Sequence, residues 1–308
     1  MARTEAAFAA DSQIKIVAAV SLTDPGAYYG VRTLDGARLA VEEANASADG
    51  PQIDLVAQDD ESSQASARRL GEQACKTDAA VVVGPVLTTV ALAADPVYAN
   101  CGLVTVPATA HGDDVPKSPT TFQPVFNGGE MGSALAVYLK EVLHGEKAVV
   151  LYRADGYGQP FANGFASAAK ALGLVVATRG FSTEAERDAA AKETAEDPDR
   201  PAIALGMLVG DAVPILTTLR RKGLHSPVLA PSALAGDEFV TQFAAEPEEK
   251  NRRGFFTDGI YAASPIMFDS ANADTLDFAD RFRRRYGREP SWPAVQGYDA
   301  AHLAITAA

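Results

Sequence analysis

The stretch VVVGPVLTT, Val81–Thr89, carries the decision about the fold. Three valines form an apolar run of the kind a strand uses when both of its faces are covered. Gly84-Pro85 stops that run. The pattern after it, two threonines and then VALAADPVYAN, has the spacing of a helix. Strand, turn and helix in that order make the building unit of a parallel sheet, because a parallel strand needs a crossover before the next can begin.

Working outward, the same unit repeats. IKIVAAV (14–20) reads as a buried strand, SLTDPGAYYG as a loop and VRTLDGARLAVEEANA as a helix. IDLVAQ (53–58) is a second strand, and Asp59-Asp60-Glu61-Ser62-Ser63 leads into the helix QASARRLGEQAC. After the helix from about Thr89 to Asn100 comes GLVTVP, a fourth strand. The rhythm then breaks: GDDVPKSPTTFQPVFNGG (112–129) is rich in Pro, Gly and Asp and reads as a connection. It restarts with EMGSALAVYLKEVLHG as helix, KAVVLYR as strand, QPFANGFASAAKALG as helix, and LVVATRGF and AIALGML as strands. AVPILTTLRRKG is a helix, and SPVLAPS and GFFTDGIYA are strand-like. TLDFADRFRRRYG and AVQGYDAAHLAITAA are the last helical runs. Such alternation over 308 residues predicts an α/β fold of two lobes, each with a parallel sheet. The expected division is 14–120 with 254–308 as lobe 1 and 121–250 as lobe 2.

Composition narrows the function. A net charge of −13 opposes binding to a phosphate backbone, which needs a basic face. The chain has no apolar run of eighteen residues, so no membrane span is expected. GxGxxG after a strand, GxxxxGK[ST], HExxH, CxxC and GxSxG are all missing, and with them the usual fingerprints of dinucleotide, phosphate, zinc, redox and acyl-transfer chemistry. The expectation is no enzyme, no cofactor and no metal. Of the four histidines, His144, His225 and His302 are expected at the surface or in the core; His111, beyond a strand end, is expected in solvent, with a place facing the cleft as the alternative. Asp59-Asp60 reads as capping for the helix that follows rather than as a metal site. Cys75 and Cys101 each precede a strand-like run, which leaves a disulfide and two free thiols both open. Residues 1–13 read as a disordered or processed N-terminus. Ala7-Phe8-Ala9-Ala10 there is similar to the small-residue tail of an export-signal cleavage site, and an Ala-rich disordered start is the alternative.

Ligands of open parallel sheets bind beyond the carboxyl ends of the strands. The loops expected there are SLTDPGAYYG, QDDESS, GPVLTT, PATAHGDD, RADGYG, GMLVGD and PSALAGD. The chain resembles the leucine/isoleucine/valine-binding receptors, the type I periplasmic binding protein fold. FADRFRRRYGREPSWPAVQGYDAAHL (278–303) carries most of the resemblance, with GAYYG, DGARLAVEEAN, QDDESS, VVGPVLTTVALA, GLVTVPATA and DGYGQPFA in matching order. The resemblance implies two Rossmann-like lobes joined by a hinge near 118–123 and 247–256, closing on a small ligand. It implies an extracytoplasmic receptor, in the periplasm or as a cell-surface lipoprotein, that hands an amino acid or related compound to the membrane permease of an ABC importer. A ligand-sensing ectodomain is the alternative, and a cytoplasmic α/β enzyme a weaker one. A repressor core is set aside, since no helix-turn-helix segment precedes Ile14.

Carried over residue by residue, the resemblance points to Tyr29, Thr88, Thr89, Ala108, Thr109, Ala110, Tyr157, Ser232 and Asp237 as ligand-binding. Thr88 or Thr89 would cap the helix while the other meets a ligand carboxylate at the positive helix end. Tyr157 would wall the apolar part. Family members that bind amino acids carry an acid where Ser232 stands, and Leu208 replaces an aromatic. Either the ligand is not a simple α-amino acid, or Asp211 or Asp237 supplies the charge.

Overall fold

The computed structural model describes residues 13–23, 25–47 and 50–307; the Ala7–Ala10 stretch lies outside them. In chain order come β1 (Gln13–Val20), α1 (Ala27–Ala46), β2 (Gln52–Asp59), α2 (Gln64–Ala74), β3 (Ala79–Val83), α3 (Thr88–Cys101) and β4 (Val104–Val106). Then follow α4 (Gly128–Glu141), β5 (Lys147–Arg153), α5 (Gly158–Ala171), β6 (Val175–Phe181), α6 (Glu184–Ala195), β7 (Ala202–Gly206), α7 (Val209–Arg221), β8 (Val228–Ala230), α8 (Asp237–Thr241), α9 (Pro247–Asn251) and β9 (Ile260–Ala262). The described chain closes with α10 (Ala273–Tyr286) and α11 (Trp292–Ala307). These elements fall into two compact units. Unit 1 takes the described residues up to Ala110, Val115–Val125 and those from Ala271; unit 2 takes His111–Asp114 and Phe126–Ser270.

Unit 1 holds a parallel sheet in the order β2-β1-β3-β4. β1 is central, with Ile16 opposite both Leu55 and Val81. Alternate side chains serve opposite faces. Ile16, Ile53, Val81, Val83 and Val106 pack with Ala37, Ala40 and Val41 of α1 and Ala300, Ala301 and Ala304 of α11. α1 and α11 meet backbone to backbone: a Cβ on Gly36 would overlap the Ala294 carbonyl, and one on Gly297 the Thr33 carbonyl. α10 is fastened to α1 by polar groups. Arg281 Nε donates to Glu43 at 2.7 Å, Arg285 Nε to Glu42 at 2.7 Å, and the Tyr286 hydroxyl to the Asp35 carbonyl at 2.8 Å. Much of the 278–303 signature therefore assembles the unit.

Unit 2 has the order β6-β5-β7-β8-β9, parallel throughout. Ala148, Val150, Ala204 and Leu229 face α4 and α5, where Met131, Leu135, Leu139, Phe161 and Phe165 cover them. Val149, Leu151, Ile203 and Leu205 face the opposite layer, with Ile215, Leu219, Phe239, Phe243 and Phe256. The sequence reading passes over α6, although its start is written out. Thr183 Oγ1 accepts from Glu186 N at 3.3 Å and Glu186 Oε2 accepts from Thr183 N at 3.1 Å, a reciprocal capping box.

Particular backbone bonds set where each unit begins and ends. Thr121 belongs to unit 1, because Thr105 N donates to Thr120 O and Phe122 N to Thr105 O, both at 2.9 Å, extending β4 by a bridge. His111–Asp114 join unit 2 through Gly128 N to His111 O at 2.6 Å and Gly129 N to Asp113 Oδ1 at 3.1 Å. The chain returns to unit 1 at Ala271. The reason is a buried cation. Arg220, 1% exposed, donates to the carbonyls of Leu224 (2.8 Å), Asp258 (3.1 Å), Ser226 (3.2 Å) and Phe256 (3.3 Å). The Glu249 carboxylate takes Gly254 N and Phe256 N. Together they hold 249–258 against unit 2 and set β9 beside β8.

Of the two cysteine readings, the structure has the disulfide: Cys75, just past α2, is joined to Cys101 at the end of α3, with Cα atoms 5.9 Å apart.

Arg220→Leu should leave buried carbonyls without a donor and cost about 3 kcal/mol or more. Urea unfolding followed by circular dichroism should show a lower midpoint at an unchanged slope; a loss under about 1 kcal/mol would mean that water replaces the guanidinium.

Candidate functional site

In unit 1 the strand ends gather the predicted residues. β3 stops at Val83, and the chain turns through Gly84 (φ 115°) and a cis Gly84-Pro85 bond. A Cβ on Gly84 would overlap the Ala19 carbonyl of β1, so the turn needs glycine for both space and conformation. α3 then begins at Thr88. Its N-cap is Leu87, with no side-chain cap, so neither threonine caps the helix. Thr88 is the buried first residue and Thr89 the half-buried second. The reason is one of register: the turn delivers Leu87 in extended conformation one residue earlier than a hydroxyl could serve.

Ala108, Thr109 and Ala110 follow β4 and are all buried. Thr109 Oγ1 donates to Val86 O at 2.8 Å, which ties the loop after β4 to the turn before α3. Thr88 and Ala108–Ala110 therefore meet at one edge. Gln123 joins them unforeseen, its Nε2 donating to Ala110 O at 2.7 Å. Tyr29 sits elsewhere in character. It is in the first turn of α1, not in a loop, and is buried 6.0 Å from the Trp292 ring, centroid to centroid.

Asp59 and Asp60 do not cap α2. Ser63 does, accepting from Ser66 N at 3.4 Å. Asp59 Oδ1 accepts from Leu22 N and Glu61 N, both at 2.8 Å. Asp60, fully buried, accepts from Ser21 Oγ at 2.7 Å and Ser62 N at 2.9 Å, and burial raises its pKa. The pair locks the loops after β1 and β2 together. Among the described residues no group of three or more His, Cys, Asp or Glu is placed to hold a metal.

Unit 2 brings together Tyr157, Ser232 and a residue that the sequence reading sent to solvent, His111. His111 is 1% exposed. Its Nδ1 lies 2.9 Å from Phe126 O and its Nε2 3.1 Å from Ser232 Oγ. A carbonyl can only accept, so Nδ1 carries the proton, and in the neutral ring Nε2 accepts from the Ser232 hydroxyl. Burial lowers the imidazole pKa to about 4, against the opposing effect of the Phe126 bond. Ser232 opens a 3₁₀ turn after β8, is fully buried, and its N–H points at Met131 Sδ, 3.4 Å away. The Tyr157 ring lies 6.5 Å from that of His111, edge to face. Its hydroxyl approaches the Ser232 side chain and the Ala233 backbone without closing a hydrogen bond of good geometry, and burial pushes its pKa up.

The candidate charges fare differently. Asp237 is exposed at the start of α8. Asp211 is taken up by Arg187 Nη1 at 3.3 Å and Arg153 Nη1 at 3.4 Å. Leu208 is the N-cap of α7. His144, His225 and His302 are exposed.

A family model described as periplasmic binding protein matches residues 13–308. The branched-chain amino acid transporter substrate binding protein LivJ from Streptococcus pneumoniae, solved with isoleucine, is 28% identical at a TM-score of 0.85, over 96% of this chain and 84% of that one. The leucine binding protein LivK from Thermotoga maritima (20% identity, TM-score 0.84, covering 96% and 82%) supports the fold alone. So does a solute binding protein from R. palustris in complex with benzoate (24%, 0.79, 95% and 79%). No curated protein matches.

The buried imidazole makes stability depend on pH. Its pKa is about 4 in the fold and about 6.5 in an unfolded chain. Between those values the unfolded state binds a proton that the native state refuses, so stability falls as pH drops through the window, by on the order of 3 kcal/mol. Urea unfolding between pH 7 and pH 4 should show this decline in the wild type and a flatter one in His111→Gln. Equal slopes would place the titration elsewhere.

Proposed function

Since the chain belongs to the periplasmic binding protein family, we propose that it is an extracytoplasmic receptor that captures a small polar ligand, an amino acid or related compound. It delivers that ligand to the membrane permease of an ABC-type importer. The family match along nearly the whole chain carries this reading, and the likeness to LivJ, solved with isoleucine, supports it. Two features agree with it. The Cys75–Cys101 bridge suits an oxidising compartment. Among the described residues no helix is long and apolar enough to cross a membrane.

At the site, the start of α3 is the place for the ligand's acceptor oxygens. The first N–H groups of a helix have no acceptor within it, and the aligned peptide dipoles make that end positive. A carboxylate there needs no other cation. Thr88, buried at that start, would add its hydroxyl. Ala108 and Ala110 lie fully buried at the same edge. The importer and the extracytoplasmic location are part of the same proposal.

A thermal-shift screen of amino acids, short amides and small organic acids tests it. A true ligand at about 100 times its Kd should add about 2.7 kcal/mol. Thr88→Ala should then weaken binding by about one to two decades in calorimetry, the worth of a hydrogen bond to a charged group. Thr89→Ala should change affinity and stability little. Equal affinities for wild type and Thr88→Ala would make Thr88 structural, and silence across the screen would count against the receptor reading.

Mass spectrometry of unreduced peptides from the exported protein should find Cys75 linked to Cys101. Free thiols at both positions would count against an oxidising compartment.

A further inference from the structure

Between β2 and α2 the chain turns in a conformation that side chains rarely accept. Glu61 (φ 55°) and Ser62 (φ 53°) both lie in the left-handed region, one after the other. Ser63 N closes the turn on Asp60 O at 2.9 Å. A turn with positive φ at both central residues is the usual place for Asn and Gly. Here neither residue is either of these. A strained backbone persists where the surrounding bonds over-determine it, and those bonds show what it holds.

They hold the loop after β1. The Ser62 hydroxyl gives its one proton to Thr23 O at 2.9 Å and accepts from Gly26 N at 2.9 Å. Ser62 N donates to Asp60 Oδ1 at 2.9 Å, and Leu22 N donates to Asp59 Oδ1 at 2.8 Å. Glycine at position 62 would relieve the backbone and lose both hydroxyl bonds. Gly26 in turn stands in a closed slot: a Cβ there would lie 2.8 Å from Ser62 Oγ, from Ser21 Cβ and from Leu87 Cδ1. Leu87 is buried and is the N-cap of α3, its carbonyl accepting from Ala91 N at 2.8 Å. Contact therefore runs from Ser62 through Gly26 to the residue that sets the first turn of α3. All three belong to unit 1.

We propose that Ser62 is a positioning residue for the head of α3: by clasping Thr23 and Gly26 it fixes Gly26 against Leu87, and so fixes where Thr88 and the first N–H groups of α3 point. This rests on the receptor reading above, in which that helix start takes the ligand's carboxylate, and adds to it a residue that acts through Leu87. A binding constellation has to be held within about 0.5 Å, so a clasp on the neighbour of Thr88 is felt in affinity.

Amide magnetic resonance of the full chain labelled with 15N-threonine tests this, with sodium acetate as the carboxylate probe. Ser62→Gly and Ser62→Ala should both move the Thr88 and Thr89 signals of the free protein. Ser63→Ala, which removes only the side-chain cap of α2, should leave them in place. Acetate should bind each Ser62 variant about ten-fold more weakly than the wild type. Melting temperatures should separate the two variants. Ser62→Gly should stay within about 2 °C of the wild type, since relief of the backbone offsets the lost bonds, and Ser62→Ala should fall further. Equal losses of affinity at unequal melting temperatures are what a merely stabilising serine cannot produce. Unmoved threonine signals in the free variants, or acetate bound alike by the wild type and both variants, overturn the inference and leave the receptor reading standing. Affinity that follows melting temperature overturns it as well. Acetate that moves neither threonine in the wild type overturns the inference together with the placement of a carboxylate at α3.

Discussion

A parallel strand cannot turn straight back, and this constraint organises both units. Each strand must be followed by a crossover, so all strands of a sheet end at the same edge. In unit 1 the ends of β1, β2, β3 and β4 lie side by side because the registers of Ala18 with Ala57 and Val83, and of Val83 with Val106, leave no choice. The loops that follow must satisfy their own backbone groups. They do so with one another: Ser21 with Asp60, Leu22 N with Asp59, and Thr109 with Val86 O. The edge that holds Thr88 is thus a cross-tied surface with little freedom to rearrange.

The corresponding edge of unit 2 is built on a different economy. Tyr157, Ser232 and His111 there are uncharged, and they are ordered by an imidazole that cannot readily take a proton. A buried histidine of this kind transmits direction rather than charge. The Phe126 carbonyl decides which nitrogen carries hydrogen, and that decides which way the serine hydroxyl points. Hydrogen-bond polarity is fixed some distance from the group that would use it.

The repeating strand–helix unit was legible in the sequence because apolar runs of four to seven residues and helical spacing are local signals. The failures have local reasons too. The α6 segment is Ala- and Glu-rich with a weak apolar stripe, and only Thr183 and Glu186 announce it. Tyr29 looked like a loop residue because Asp-Pro-Gly precedes it, yet α1 begins at Ala27, within the stretch assigned to the loop. The threonines at 88 and 89 have the chemistry of caps and miss the cap position by a single residue. His111 was assigned to solvent because what buries it, Phe126, Tyr157 and Ser232, lies from 15 to 121 positions away. The return at Ala271 depends on Arg220 reaching carbonyls up to 38 residues on, which no periodicity encodes. Which residues share the edge with Thr88 followed from strand order; which of their protons are already spent did not.

The contact between α1 and α11 bears on how the protein is made. Gly36 and Gly297 let two helices from opposite parts of the sequence touch at their backbones. Unit 2 is nearly continuous, from Phe126 to Ser270, and can close as soon as that length has been synthesised. Unit 1 begins first and finishes last. Until α11 emerges, Ile16, Val81 and Val83 lack the alanine-rich cover that α11 lays over them. For more than 150 residues of synthesis the earlier half-domain presents an apolar sheet face, so a chaperone that holds the nascent chain would find its longest-lived target in the segment made first.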